Sequence, residues 1–231
     1  MPSSIRARTD PIASTLIPKS STGHRIMATL SQQDARTWER LVAEVATPIE
    51  GRLSRTVLAN RVHKGLGGWR LQAVGPALRQ ARRRAAHLAR TSPLIVRTDV
   101  TEFYPAVTPS VLARSLRDIG AGRTEASLAA DMLDGWGSDG YAGLPIGPDP
   151  SAVLANAVLW SVDMAIEGWP WLRWVDDYFL AAVSDQHAEQ AIEKLEASLD
   201  RLGLKRSVGK TDIVDGSSAP AWLTRCSSAH L

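Results

Sequence analysis

The sequence predicts an α+β fold in which an antiparallel sheet has helices packed on one face. One reason is the order of patterns in the second half of the chain, which runs strand, helices, two strands around a tight turn, helix and strand. The second reason is the stretch RWVDDYFLAA, Arg173 to Ala182, in which two apolar runs flank a pair of acids, as in a hairpin. Helical patterns dominate the first half instead.

The N-terminal region is predicted to be irregular at first and then helical. Residues 1–18 contain Pro2, Pro11 and Pro18 and have no clear periodicity. The stretch Ser31 to Leu53 opens with a serine that can cap a helix, and its apolar residues recur at helical spacing. The stretch GGWRLQAVGPALRQARRRAAHLAR predicts one or two further helices, with Gly75 and Pro76 at a boundary.

The second half begins with a strand that ends in an acid. The β-branched run PLIVRTDV, Pro93 to Val100, predicts a buried strand with Asp99 near its end. The elements predicted after it are helices at Thr108–Gly120 and Arg123–Leu133, a glycine- and proline-rich loop at Gly137–Ser151, a strongly apolar helix, the hairpin, a helix at Asp185–Leu204 and a strand at Lys210–Val214.

Composition indicates an ordinary globular protein of the cytoplasm. Of the 231 residues, 44% are hydrophobic and 22% are charged. Cys226 is the single cysteine, which excludes an internal disulfide and favours a reducing compartment. No apolar run approaches the roughly 20 residues of a membrane span, and the N-terminus lacks the apolar core of a secretory signal. We therefore expect no membrane partner.

The charge distribution indicates an anionic partner. The net charge is +3, and the sequence pI is about 9.3. Arginines cluster in RQARRRAAHLAR, and the candidates for nucleic-acid binding are Arg79, Arg82, Arg83 and Arg84. Two interpretations are open: the cluster is a solvated helix face, or it contacts the phosphates of a nucleic acid.

Carboxylates mark the candidate catalytic centre. If the strand before Asp99 neighbours the hairpin of Asp176 and Asp177, three carboxylates converge at one edge of the sheet. Carboxylates without nearby His or Cys favour Mg²⁺ or Mn²⁺, and two such ions serve phosphoryl transfer. Two structural interpretations stay open, because Asp–Asp is common in exposed turns and an acid after a strand can cap the next segment.

Four segments in order resemble the reverse transcriptase family. VDDYFL is similar to the family's catalytic Asp–Asp hairpin, and RTDVTEFYPAV to the strand that supplies its other metal-binding Asp. GLPIGPDPSAVLANAVL resembles its Gly-Leu-Pro-x-Gly loop and helix, and LGLKRSVGKTDIV its lysine segment. Residues from about Pro18 to Val214 resemble bacterial members, including the group II intron, retron and phage-defence types. The resemblance implies fingers at 1–92, a palm at 93–214 and a tail or partial primer grip at 215–231.

The resemblance assigns roles to individual residues. It implies metal ligation by Asp99, Asp176, Asp177 and the Val100 carbonyl, and catalytic assistance by Lys210. It implies nucleotide binding by Lys19, Arg25, Tyr104, Gly143, Pro145 and Gly147. Tyr104 would exclude a ribose 2′-hydroxyl, or it is a core tyrosine beside Phe103. Lys210 would assist pyrophosphate departure, or it is an exposed charge. Ile146 stands where many relatives carry Gln.

The implied activity is that of an RNA-directed DNA polymerase, a nucleotidyltransferase that uses Mg²⁺ or Mn²⁺. The implied partners are an RNA template, a DNA or RNA primer and dNTPs, with antiphage defence as a candidate role. Since little chain follows Asp215, three interpretations are open: a minimal polymerase, a fragment of a longer chain, or a subunit for which another protein or a second copy supplies a thumb. Two alternatives stay open: template-independent or protein-primed DNA synthesis, and a catalytically idle RNA-binding or assembly subunit. The intact acids favour an enzyme.

Overall fold

The computed structural model describes residues 9–20, 23–65 and 68–218. The strands are β1 (Ala13–Ser20), β2 (Gly23–Thr29), β3 (Val62–Gly65), β4 (Gly68–Leu71), β5 (Leu94–Thr98), β6 (Trp171–Trp174), β7 (Asp177–Ala182) and β8 (Asp212–Asp215). The helices are α1 (Gln32–Arg52), α2 (Val74–Thr91), α3 (Phe103–Ala106), α4 (Pro109–Asp118), α5 (Arg123–Ser138), α6 (Asp149–Ala165) and α7 (Asp185–Asp200). Short 3-10 turns lie at Val208–Lys210 and Gly216–Ser218.

The described residues divide into two compact units. The first unit comprises residues up to Arg52, with Lys64–Trp69 and Tyr104–Val158. The second unit comprises Leu53–His63, Arg70–Phe103 and residues from Leu159 onward. The assignment of residues 1–92, 93–214 and 215–231 to fingers, palm and tail stays a prediction, and residues 219–231 lie outside the described part of the chain.

The first unit has a core built on two buried tryptophans. The rings of Trp38 on α1 and Trp136 on α5 meet edge to face, with 5.2 Å between their centroids. Trp136 Nε1 donates to Asp34 Oδ2 at 3.1 Å, and Trp38 Nε1 donates to Ser151 Oγ at 3.0 Å. These bonds satisfy the two indole N–H groups, so that both rings can be fully buried.

The N-terminal region is a hairpin where the sequence predicted irregular chain. β1 pairs antiparallel with β2, and the paired residues include Ala13 with Thr29 and Pro18 with His24. In a two-stranded hairpin, one edge of each strand has no partner strand. Proline has no N–H to donate, and at such an open edge no hydrogen bond between strands is lost. A second difference is that Gly68–Leu71 forms β4 rather than helix, and α2 begins only at Val74, with Pro76 in its first turn, where proline is tolerated.

The second unit is built on a four-stranded antiparallel sheet in the order β6-β7-β5-β8. The predicted α+β class is confirmed. Every residue of β7 is buried, so both faces of this strand are covered. The face that carries Phe179 packs with Leu58, Leu172 and Ala85 of α2. α7 also contacts β5 and β7. The candidate catalytic residues lie at one edge of this sheet.

Candidate active site

Asp99 directly follows β5, and its side chain is almost fully buried, with 8% exposed. Asp99 Oδ2 accepts a charged hydrogen bond from Lys210 Nζ. Asp99 Oδ1 is buried and has no hydrogen-bond partner among the described residues. A buried carboxylate oxygen without a partner is unfavourable, because it has lost its hydration. This position therefore suits a cationic ligand that the polypeptide does not itself supply.

The segment before Lys210 pairs with the chain around Asp99. Val100 and Arg206 lie opposite each other in an isolated antiparallel bridge. The two hydrogen bonds of this bridge are made by the residues on either side of Val100 and Arg206, and not by these two residues themselves. The N–H and C=O of Val100 therefore point away from Arg206. This leaves the buried Val100 carbonyl, predicted as a metal ligand, unused by that bridge. Lys210 follows in a 3-10 turn, and its side chain is 53% exposed.

Asp176 lies in the turn between β6 and β7, and Asp177 is the first residue of β7. Because Trp174 pairs with Asp177, the two turn residues are Val175 and Asp176. Val175 has a φ of 58°, which is the left-handed conformation. That conformation costs a residue with a Cβ about 1–2 kcal/mol, and a β-branched residue rarely adopts it. Backbone strain of this kind is concentrated at functional sites.

The register of β5 against β7 brings the acids to one edge of the sheet. Thr98 pairs with Tyr178, so the next residues along the two antiparallel strands are Asp99 and Asp177. Asp177 is 5% exposed, and Asp176 is half-buried. Within the described ranges, no three His, Cys, Asp or Glu side chains form a ready-made metal site. Since Mg²⁺ usually takes one or two carboxylates with substrate phosphates, these donors fit Mg²⁺ or Mn²⁺ bound with a nucleotide.

A buried ion pair beside the turn was missed by the sequence interpretation. Arg173 Nε and Nη2 donate to Asp163 Oδ1 and Oδ2 at 2.9 and 2.7 Å, and the Tyr178 hydroxyl donates to Asp163 Oδ1 at 2.9 Å. Arg173 Nη1 donates to the Val175 carbonyl at 2.8 Å. The sequence held a signal, since Asp163 is a single acid within an apolar stretch of α6 and Arg173 is a single base within an apolar strand.

Burial and charge attraction act together on the ionisable groups of this cluster. Burial raises the pKa of the Asp163 carboxyl above its ordinary value, and the charge of Arg173 and the hydrogen bonds from Arg173 and Tyr178 oppose this rise. Burial by itself would lower the pKa of the Arg173 guanidinium, but the adjacent Asp163 carboxylate raises this pKa above its ordinary value. Burial raises the pKa of the Tyr178 phenol well above its ordinary value, and the Asp163 charge raises it further. Arg173 is therefore a charged donor and Tyr178 a neutral donor at neutral pH.

In the first unit, the predicted nucleotide-binding residue Tyr104 lies beside the glycine-rich loop. Leu144 N–H donates to the Tyr104 carbonyl at 2.9 Å. Gly143 has a φ of 77°, and a Cβ there would lie 2.2 Å from the same Tyr104 oxygen. Pro145 is buried in this loop. The Tyr104 ring is half-buried, whereas the preceding Phe103 is 3% exposed, so Phe103 takes the core position.

The end of the same loop is joined to β2. Ala28 N–H donates to the Ile146 carbonyl at 2.7 Å, and Ile146 N–H donates to the Tyr141 hydroxyl at 3.1 Å. Burial raises the pKa of Tyr141, and the bond from Ile146 opposes this rise. Gly147 has a φ of 121°, and a Cβ there would lie 2.9 Å from Met27 Cε. The loop thus keeps a fixed position on the β1–β2 hairpin.

The two predicted triphosphate-binding residues lie on that hairpin. Arg25 is half-buried on β2 and pairs through its backbone with Ile17. The backbone of Lys19 lies in β1, where the register shifts between Pro18 and Ser20. The Lys19 side chain falls outside the described part of the structure.

The arginine cluster lies on α2, in the second unit. At 100° per residue, one face of α2 spanning about 100° carries its exposed arginines. These are Arg79, Arg82, Arg83 and Arg90. Arg84 lies off this face, is half-buried and donates to the Arg55 carbonyl, and its predicted role in nucleic-acid binding stays a prediction. Arg82 and Asp177 line the same small apolar cavity, so the arginine face reaches the acidic edge of the sheet.

Residues 17–223 match the family described as reverse transcriptase (RNA-dependent DNA polymerase). The match covers well over half of the chain, so the chain belongs to the reverse transcriptase family. The family predicted from the sequence is confirmed, while the bacterial subtype stays a prediction. No curated protein matches the sequence.

Solved telomerase structures share the fold. The structure of telomerase from Candida albicans, in complex with a fragment of telomeric RNA, aligns over 93% of this chain with a TM-score of 0.54 and 14% identity. Apo telomerase from Candida tropicalis aligns over 93% with a TM-score of 0.56 and 12% identity. This chain spans 43% and 46% of those two chains. Of the helices in the described ranges, none has the length and apolar character needed to cross a membrane.

Proposed function

We propose that this chain is the fingers and palm part of an RNA-directed DNA polymerase that adds deoxynucleotides to a 3′ end. The observation that carries the proposal is Asp99 Oδ1, buried and without a hydrogen-bond partner among the described residues, at the edge where β7 begins with Asp177. Asp99 and Asp176 would hold Mg²⁺ or Mn²⁺, assisted by Asp177 and the Val100 carbonyl. When bound, the ions stabilise charge on the attacking and leaving oxygens of the phosphoryl transfer.

Lys210 would have two roles, one in balancing the charge of Asp99 and one in the reaction with the nucleotide. Its ammonium group balances the charge of Asp99 through Oδ2. Its side chain is half exposed, so it can turn towards a nucleotide. A protonated amine beside a departing pyrophosphate can donate a proton to it as a general acid.

The first unit would bind the incoming nucleotide. Arg25 and Lys19 of the β1–β2 hairpin carry the positive charge that a triphosphate needs. Tyr104 would lie under the sugar and exclude a 2′-hydroxyl, which selects dNTPs. The observation that supports this role is the close contact between the backbones of Tyr104 and Gly143, which positions Tyr104 against the glycine-rich loop.

The exposed arginine face of α2 would contact the backbone of the template or primer. Clustered arginines attract phosphates, and this attraction weakens with salt. The Candida albicans telomerase is in complex with telomeric RNA, which supports an RNA partner for the shared fold. Antiphage defence is a candidate setting for this activity.

The test is nucleotide incorporation by the purified chain. Each dNTP and NTP is offered with Mg²⁺ or Mn²⁺, with and without a primed RNA template. The variants are Asp99→Asn and Asp176→Asn, with Asp215→Asn as a matched control, because Asp215 is exposed and pairs with the opposite end of β5. We expect templated dNTP addition that both site variants lose and the control keeps.

Two results would contradict this function. Addition without a template would identify template-independent or protein-primed synthesis instead. Absence of incorporation under every condition, with and without added cell extract, would favour a catalytically idle RNA-binding or assembly subunit.

A further inference from the structure

The turn that carries Asp176 is not specified by its own sequence. Two-residue hairpin turns with positive φ usually contain Gly, Asn or Asp at the left-handed position. Here that position is Val175, with a φ of 58°. A β-branched residue resists this conformation. An interaction outside the turn must therefore stabilise it.

Arg173 is fixed at both its backbone and its side chain. Its N–H donates to the Thr56 carbonyl at 3.0 Å, and its carbonyl accepts from Leu58 N–H at 3.0 Å. Its guanidinium binds both oxygens of Asp163, at 2.9 and 2.7 Å. Because the guanidinium is planar and rigid, these contacts determine where its remaining nitrogen, Nη1, points. That nitrogen donates to the Val175 carbonyl at 2.8 Å.

Stability alone does not account for the buried pair. Arg173 and Asp163 are 1% and 3% exposed. The desolvation of two such charges can equal or exceed their attraction, so an apolar pair of similar volume would often be as stable. What an apolar pair cannot provide is a donor aimed at the Val175 carbonyl.

We propose that Arg173, oriented by Asp163, is a positioning residue that holds the strained Val175–Asp176 turn in the conformation that presents Asp176 to the metal. The inference rests on the proposed polymerase function. The main observation behind it is the hydrogen bond from the buried Arg173 guanidinium to the carbonyl of the strained Val175, which directly precedes Asp176. Arg173 acts through the turn and does not itself contact the nucleotide.

The test combines Arg173→Lys with Val175→Gly. Lysine keeps the charge beside Asp163, but its single ammonium group cannot reproduce the bidentate fork and also reach Val175. Glycine adopts positive φ without strain, so it removes the need for the support. The four proteins are wild type, R173K, V175G and R173K/V175G. Arg201→Lys, an exposed arginine at the end of α7, is the matched control.

Two readouts are used, one of which does not depend on polymerase activity. The first is kcat and KM for dNTP incorporation. We expect R173K to lower kcat about tenfold or more with a small change in KM, since small misplacements of a catalytic group reduce rate strongly. The second is amide hydrogen exchange of the peptide spanning Trp174–Tyr178, which we expect to be faster in R173K. V175G should reverse both effects in the double variant, while R201K behaves as wild type.

Two outcomes would overturn the inference. In the first, R173K changes neither kcat nor hydrogen exchange at the turn. In the second, R173K loses activity and thermal stability and V175G restores neither kcat nor slow exchange, which is the behaviour of a residue needed only for packing. If the wild type itself does not incorporate nucleotides, the proposed function fails, but hydrogen exchange still decides whether Arg173 stabilises the turn.

Discussion

At the residue scale, the two carboxylate oxygens of Asp99 have different surroundings, and one of them is not explained by a structural role. Its Oδ2 is paired with Lys210, while its Oδ1 is buried without a hydrogen-bond partner in the described part of the chain. Such an arrangement lowers stability, as is common at functional sites, and it fits the proposed metal site. Replacing the carboxylate by an isosteric amide should therefore affect ligand binding more than folding.

We predict that Asp99→Asn has a metal-free melting temperature equal to or above that of wild type, because the buried charge is removed. The expected gain is at most about 1 kcal/mol, since the ion pair to Lys210 is lost at the same time.

MnCl₂ should raise the melting temperature of wild type and of Asp215→Asn, but not of Asp99→Asn. Thermal unfolding with and without the metal measures both effects. Strong destabilisation of metal-free Asp99→Asn would instead identify a structural ion pair.

The raised pKa of Glu39, in the first unit, predicts how the stability of the protein depends on pH. Burial, and then the charge of Asp149, raise the pKa of the Glu39 carboxyl. A raised carboxyl pKa means that the folded state binds the proton more tightly than the unfolded state. The resulting loss of stability is full at neutral pH and disappears as the pH falls below the unfolded pKa. Glu39→Gln should therefore stabilise the protein at pH 7, by about a few tenths of a kcal/mol for so exposed a group, and not at acidic pH.

Urea unfolding of wild type and Glu39→Gln across this pH range measures the difference. An advantage of the variant that grows towards low pH would contradict the sign of the shift.

At the element scale, the glycine-rich loop is shaped by its neighbours. Gly143 lies against the backbone of Tyr104 and Pro105, and Ile146 is bonded to Ala28 of β2 and to Tyr141. The loop conformation is therefore stabilised by contacts made within the chain itself. A prearranged loop loses less conformational entropy when a ligand binds.

We predict that Gly143→Ala destabilises the protein by about 3 kcal/mol or more, because strain at positive φ adds to a backbone clash. The added Cβ would lie 2.2 Å from Tyr104 O and 2.6 Å from Pro105 Cα. Gly140→Ala is the matched control, since Gly140 also has positive φ but nothing within 4 Å of an added Cβ. The control should cost only about 1–2 kcal/mol. Equal losses in urea unfolding would show that the close approach is unimportant.

At the scale of the whole molecule, charge is nearly balanced. The net charge of +3 provides little general attraction for a nucleic acid. Binding must therefore depend on where the cations lie, and α2 carries its exposed arginines on one face. Arg84 lies off this face and donates to the backbone of Arg55.

We predict that replacing Arg79, Arg82, Arg83 and Arg90 together by Gln weakens RNA binding and flattens its salt dependence. Each phosphate that is no longer neutralised should reduce the slope of log K against log salt by about 0.7–0.9. The control removes four exposed arginines elsewhere, at Arg36, Arg40, Arg117 and Arg123. Fluorescence anisotropy over a salt series measures both slopes. Identical slopes for the two quadruple variants would show that only net charge matters.

Local patterns were sufficient for the fold class, the family and several elements. The β-branched run before Asp99, the hairpin around Asp176 and the amphipathic helix α7 are found where the sequence predicted them. The β1–β2 hairpin was missed, because the prolines of residues 1–18 suggested irregular chain, although the hairpin contains only Pro18 and its open edge tolerates this residue.

The sequence by itself determined which residue types were present for the proposed phosphoryl transfer and the order in which they occur. Tertiary structure alone decided that β5 pairs with β7 in the register that brings Asp99 and Asp177 to one edge of the sheet. It also decided that Lys210 forms an ion pair with Asp99, and that Arg173 donates hydrogen bonds to Asp163 and to the Val175 carbonyl. The physical reason is that helix and strand patterns depend on neighbours in sequence, whereas strand register and the pairing of buried charges depend on residues brought together only by packing.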